Sequence, residues 1–183
     1  MPLRTTYSYG HKFLCPCNAI LHVMFRIGFG FDTHRLGDNH DFWLGGILIP
    51  HTKGSTGHSD ADVLIHAIID ALLGAVGLPD IGSQFSDESD EFKGIDSKLL
   101  LSRTMEMIFA EGYIIGNIDT TIVLQRPKIS SHIPEMKKVL AAVMTIGENQ
   151  LSIKAKTSEN LGFIGREEGI SAYAVALLQT GGS

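Results

Sequence analysis

The longest apolar stretch of the chain, AIIDALLGAVGL from Ala67 to Leu78, is interrupted by Asp70 and is too short to cross a bilayer, so it must be buried inside a fold. It belongs to a longer segment, HSDADVLIHAIIDALLGAVGLP, whose apolar residues recur at helical spacing and which stops at Gly77 and Pro79. Ser59 and Asp62 have the form of a capping box, which predicts a helix starting near Asp60. Before it, RIGFGFDTHRL and FWLGGILIP read as β-like runs joined by the turn-rich GDNHD, a predicted hairpin. After it, PDIGSQFSDESDEFKG reads as a polar mobile loop and DSKLLLSRTMEMIFAEG as a helix closed by Gly112. YIIGNIDTTIVLQ is a strand, SSHIPEMKKVLAAVMTIG a helix from near Ser131, QLSIKAKTSE an alternating strand and EGISAYAVALLQT a closing helix. Strands separated by helical crossovers imply an α/β fold, a small mixed sheet of about four main strands covered by helices on one face.

At 183 residues the chain suits one domain, which we place at 25–183, behind an N-terminal extension of residues 1–24. The extension has basic but no acidic residues before Met24, and its readings are a disordered tail, a targeting segment or an overlong start. Localisation follows that choice: cytoplasmic, or plastid if the extension is a targeting segment. A net charge of −5 provides no broad basic footprint for nucleic acid, and no segment predicts a membrane span. Cys15 and Cys17 both lie in the extension, so everything after it folds without a disulfide.

Asp32 and His34 stand two residues apart on the first strand and therefore share a face. On the helix, Asp62, His66 and Asp70 recur every four residues and line one side, a pattern that a merely solvated stripe also produces. A strand-borne Asp and His facing a helix-borne His make a ligand set that binds zinc and leaves a coordination position open for substrate. Asp32, His34 and His66 are that candidate set; the bland reading of each histidine is a hydrogen-bonded imidazole. His58 and Ser59 precede a helix start, where free N–H groups attract phosphate. GFGFDT begins like a dinucleotide fingerprint, but Thr33 replaces its third glycine and no helix follows.

The blocks GFDTHR, HSDADVLIHAIIDALLGA, DIG, FKGIDS, QRPKISSHIPEM, KAKTSE and LGFIGREEGI, in that order between Arg26 and Thr180, resemble the 2-C-methyl-D-erythritol 2,4-cyclodiphosphate synthases of the non-mevalonate isoprenoid pathway. The resemblance implies a homotrimer with active sites between adjacent subunits. It implies a phosphorus–oxygen lyase that converts 4-diphosphocytidyl-2-C-methyl-D-erythritol 2-phosphate to the cyclic diphosphate and releases CMP. The attacking phosphate is part of the substrate, so no Ser or Cys nucleophile is needed; positioning and neutralisation of charge carry the reaction.

By the same resemblance, Asp32, His34 and His66 hold zinc, and Glu159 holds a second cation, Mg²⁺ or Mn²⁺, on the diphosphate. His58 and Thr157 stabilise the transition state. The zinc-site segment Asp32, Thr33 and His34, with His58 and Ser59, contacts substrate phosphate. Asp80, Ile81 and Gly82, with Phe85, Ser86, Asp87, Glu88 and Ser89, face the methylerythritol portion, although most charges of that loop are solvated. Leu124, Gln125, Arg126, Pro127, Lys128, Ile129 and Ser130 form the cytidine pocket, and Lys156, Thr157, Ser158 and Glu159 adjoin it. Lys156 stands where some members have a hydroxyl residue, and Arg126 where a smaller residue is common. Phe163 and Arg166, with Glu168, belong to the trimer's central cavity, where isoprenoid diphosphates bind, or else to a structural turn with an internal ion pair. Two rivals share features of this reading: a metal-dependent phosphohydrolase, and a trimeric binding protein that needs no metal.

Overall fold

A computed structural model describes residues 23–57, 59–86 and 94–181. The expectations for residues 1–22, including both cysteines, for His58 and for Asp87, Glu88 and Ser89 fall outside the described residues.

The chain runs β1 (Phe25–Asp38), β2 (Trp43–Leu44), β3 (Ile47–Leu48), β4 (Lys53–Thr56), α1 (Val63–Val76), α2 (Ile81–Gln84), α3 (Ser97–Ala110), β5 (Tyr113–Val123), α4 (Ile133–Met144), β6 (Leu151–Lys156), α5 (Gly162–Gly165) and β7 (Gly169–Thr180). The main sheet has five strands in the order β4-β1-β7-β5-β6. Only β5 and β6 are parallel, so the sheet is mixed.

The last segment is a strand, not the expected helix. Its alanines favour a helix when counted by propensity, yet they follow a period of two. Ala172, Ala174 and Ala176 are buried on the helix side, while Tyr173 and Val175 lie open on the other. β7 is the middle strand, paired with both β1 and β5. The expected hairpin is also different. β1 pairs with β4, whereas Trp43–Leu44 and Ile47–Leu48 form their own two-stranded sheet around Gly45 and Gly46, both at positive φ.

Helix α1 begins three residues beyond the expected position. Its N-cap is Asp62, whose Oδ1 accepts from the Leu64 and Ile65 N–H groups at 3.2 and 3.1 Å. The other oxygen, Oδ2, accepts from the Gly46 N–H at 2.7 Å and ties the small hairpin to the helix start. The helix is buried on nearly every side, packed against β1, β7 and α3. It lies very close to the sheet because of what stands beneath it. A Cβ at Gly28 would overlap the Ala71 carbonyl oxygen, and one at Gly30 the Ala67 carbonyl oxygen. Their neighbours across β7, Ala176 and Ala174, are nearly as small. The glycines that imitate a dinucleotide loop thus set a helix-to-strand approach.

α3 and α4 complete the layer over the same sheet face, with Leu101, Ile108, Met136 and Leu140 buried in the core. The polar segment after α1 opens with the single turn α2, capped by Asp80. On the opposite face no helix among the described residues covers the sheet. Ile27 and Phe29 are 72% and 64% exposed there, beside Phe25, Phe31, Tyr173 and Val175.

Candidate active site

Strand alternation and the close seat of α1 bring the metal-ligand candidates together. Asp32 and His34 point from β1 toward the helices, and His66, next to Ala67 on the seam, comes down from α1. Asp32 Oδ2 lies 3.2 Å from His34 Nε2 and 3.0 Å from His66 Nδ1, and the two imidazole nitrogens are 3.1 Å apart. One donor atom from each residue falls within 4.8 Å of the others, a set that fits a divalent metal by position and by chemistry. Thr33 sits between the two strand ligands but faces the other side of the sheet, where its hydroxyl is 2.7 Å from that of Ser171.

The site is electrostatically coupled. Burial pushes the Asp32 carboxyl up, but the hydrogen bond from His66, the charges of His34 and His66 and the Thr33 N–H outweigh it and hold it below the usual carboxylate range. Burial pushes the His66 imidazolium the other way, down, and Asp32, with Asp62 and Asp60 behind it, reverses this and raises it above the ordinary histidine value.

The cavity over these ligands, about 420 Å³, is also lined by Ser59, Asp70, Ile81 and Gly82. Asp70 accepts from the Ile81 N–H at 2.9 Å, and Asp80 Oδ1 accepts from the Ser83 N–H at 2.9 Å, so the two acids hold α2 at the cavity edge. The helix stripe therefore divides into three parts: Asp62 caps, His66 joins the candidate ligand set, Asp70 anchors. Phe85 is buried in the hydrophobic core, and Ser86 is exposed.

The residues expected to form a nucleotide pocket lie elsewhere in the chain. Gln125, Arg126, Pro127 and Lys128 line a cavity of about 560 Å³ with Thr157, Glu159 and His51, a residue missed from sequence. Leu124, Ile129, Ser130 and Lys156 border an adjoining cavity of about 230 Å³. Thr157 Oγ1 donates to Glu159 Oε1 at 2.6 Å, Ser158 Oγ donates to the Leu161 carbonyl at 2.8 Å, and Gln125 Oε1 accepts from the Asn160 N–H at 3.2 Å. The Arg126 guanidinium lies 3.3 Å from the Glu167 carboxylate. Neither cavity shares a lining residue with the metal cavity.

A further cavity of about 510 Å³, beside the ends of β1 and β7, is lined by Phe163 with Thr33, Arg35, Lys53 and Glu168. Arg166 makes a two-pronged ion pair with Glu168, both contacts at 2.9 Å.

Sequence reading also missed Asp60 and Ser97, which stand behind His66. The Ser97 hydroxyl donates to Asp60 and lies 3.0 Å from His66 Nε2. Only a fold that brings the start of α3 against α1 could reveal this group.

Comparison with known proteins agrees with this geometry. The YgbB family model matches residues 25–179. A 2-C-methyl-D-erythritol 2,4-cyclodiphosphate synthase from Porphyromonas gingivalis is 59% identical over 154 residues, covering 84% of this chain and 95% of the relative. Among solved structures, the bifunctional IspDF from Campylobacter jejuni matches with a TM-score of 0.84 at 36% identity over 87% of this chain, which spans only 43% of that larger protein. The CDP complex of IspF from Plasmodium falciparum matches with a TM-score of 0.76 at 35% identity, covering 86% of this chain and 97% of that one. With its fold, its Asp-His-His cluster and its relatives in agreement, the chain belongs to the YgbB family, the family of the 2-C-methyl-D-erythritol 2,4-cyclodiphosphate synthases.

Proposed function

We propose that the protein cyclises 4-diphosphocytidyl-2-C-methyl-D-erythritol 2-phosphate, releasing CMP and 2-C-methyl-D-erythritol 2,4-cyclodiphosphate. The observation that carries this reading is the convergence of Asp32, His34 and His66 at the mouth of a cavity large enough for a phosphorylated polyol. Two anionic phosphates of one molecule have to meet there, and the site must offset their repulsion.

In this reading the resident metal is zinc, which when bound supplies positive charge to a phosphate oxygen. Asp32, His34 and His66 are its protein ligands. The backbone of Ile81 and Gly82, fixed by Asp70 and Asp80, faces the methylerythritol portion. Lys128 and the segment Leu124–Ser130 receive the cytidine, as supported by CDP complexes of similar proteins. Glu159 offers a carboxylate to Mg²⁺ or Mn²⁺ on the diphosphate, and the Thr157 hydroxyl, which donates to that carboxylate in the free protein, would turn its proton to a phosphate oxygen once the cation takes the carboxylate. His58 acts with Thr157.

The metal cavity and the nucleotide cavities are separate within one chain, while one face of the sheet is apolar and uncovered. A homotrimer joined through that face resolves both facts: each active site takes its metal ligands from one subunit and its nucleotide pocket from the next.

The test is a reaction mixture of purified protein, substrate and Mg²⁺, in which CMP and inorganic phosphate are both measured. CMP without inorganic phosphate supports the cyclase; stoichiometric inorganic phosphate would assign a phosphohydrolase, and neither product would leave only a binding role.

A further inference from the structure

The two nitrogens of His66 face different surroundings. Nδ1 faces Asp32 and His34, whereas Nε2 lies 3.0 Å from Ser97 Oγ and 3.1 Å from Ser59 Oγ. Ser97, at the first position of α3, is fully buried. Asp60 grips it twice: Oδ2 accepts from the Ser97 N–H at 3.0 Å, and Oδ1 accepts from the Ser97 hydroxyl at 2.5 Å.

A hydroxyl has one proton to give. With that proton committed to Asp60, Ser97 Oγ meets His66 Nε2 only as an acceptor, which requires the His66 proton on Nε2. Ser59 Oγ already accepts from the Ala61 N–H at 3.1 Å and is compatible with either direction, so it does not decide the matter. The direction is set by Ser97 and Asp60.

We infer that Asp60 and Ser97 are positioning residues of the metal site: the relay from His66 Nε2–H to Ser97 to Asp60 fixes the His66 ring and keeps the Nδ1 lone pair directed at the metal. Neither Ser97 nor Asp60 lines the cavity over the candidate ligands. The relay acts through His66, by the logic that a metal-bound imidazole is oriented by the partner of its other nitrogen. Asp60 supplies the fixed negative end and also anchors α3 through the Ser97 N–H, so the helix start and the ligand are aligned by one carboxylate.

The inference rests on the zinc reading above, and the experiment separates the two. Zinc dissociation constants of purified full-length protein are measured by competition with a chromogenic chelator for wild type, His66→Ala, Ser97→Ala, Ser97→Thr and Asp60→Asn. Melting of the metal-free forms is followed alongside. Wild type should bind zinc and His66→Ala should not; if wild type fails, the metal reading itself fails. Given zinc binding by wild type, Ser97→Ala should weaken it by about 10- to 100-fold. Asp60→Asn, which leaves Ser97 in place, should weaken it by roughly tenfold, and Ser97→Thr, which keeps the hydroxyl, should restore it. The metal-free melting point of Ser97→Ala should fall no further than that of Ser97→Thr. Zinc affinity within about threefold of wild type in both Ser97→Ala and Asp60→Asn would overturn the relay. So would a loss that Ser97→Thr does not restore, because packing rather than the hydroxyl would then be responsible.

Discussion

Asp32 and His66 carry opposite charge bias before any metal arrives. Asp32 stays ionised well into acid, so it adds little pH dependence to metal binding near neutrality. His66 has its proton stabilised above the ordinary value, and a metal at Nδ1 must displace it. Zinc affinity should therefore keep rising as pH increases through and beyond about 6.5, by roughly tenfold per unit for each imidazole proton displaced. A chelator titration at a series of pH values reads this slope, and an affinity flat from weakly acidic to alkaline pH would contradict it. Asp32→Asn keeps the shape and removes the charge, and should lower both zinc content and CMP release by at least about a hundredfold, or roughly 2.7 kcal/mol. Elemental analysis of folded Asp32→Asn retaining a full complement of zinc would remove Asp32 from the ligand set. Asp32 and His34 were legible in the sequence because a strand puts alternate residues on one face. Thr33 joins them only through the family resemblance, and alternation places its hydroxyl beside Ser171 on the other side of the sheet. Asp60 and Ser97 were not legible as a pair, since their meeting depends on how α1 and α3 dock.

At the level of elements, the site depends on how near α1 lies to the sheet. Gly30→Ala should force α1 off β1, because the added methyl would overlap the Ala67 carbonyl of the helix backbone, which cannot swing aside as a side chain can. The expected cost is about 2 kcal/mol or more in stability, together with weaker zinc binding, since His66 moves with Ala67. Denaturant unfolding of the metal-free protein and a zinc titration check both, and unchanged values for both would contradict this packing. α1, α3 and α4 were readable because their apolar residues recur at helical spacing, and Asp62 and Asp96 cap the first two. β7 was misread for the very property that makes it suitable: alanines facing α1 suit the close approach, and alanine also favours helices. The local GDNHD turn suggested a hairpin, but it left unspecified that β1 pairs with the later β4.

Across the whole molecule, the proposed homotrimer accounts for both the uncovered apolar face and the separation of the cavities. Phe31 and Tyr173, with ring centroids 5.0 Å apart, lie on that face near the strand ends that carry the metal ligands. If sites are shared, His66→Ala and Glu159→Gln subunits, each inactive alone, should recover activity when refolded together. Random mixing would make roughly a quarter of the sites complete. Absence of recovery in trimers shown by light scattering to be mixed would mean that each site is built within one chain. The sequence displayed the ligand and pocket blocks but not their separation within the subunit, because separation is a property of the folded surface. The most direct measurement of the proposed activity is phosphorus NMR of the purified protein with 4-diphosphocytidyl-2-C-methyl-D-erythritol 2-phosphate, zinc and Mg²⁺. Cyclisation predicts that the substrate resonances give way to those of CMP and of two coupled phosphorus atoms in a cyclic diphosphate. Persistence of the substrate, or its conversion to open-chain products and inorganic phosphate, would contradict it.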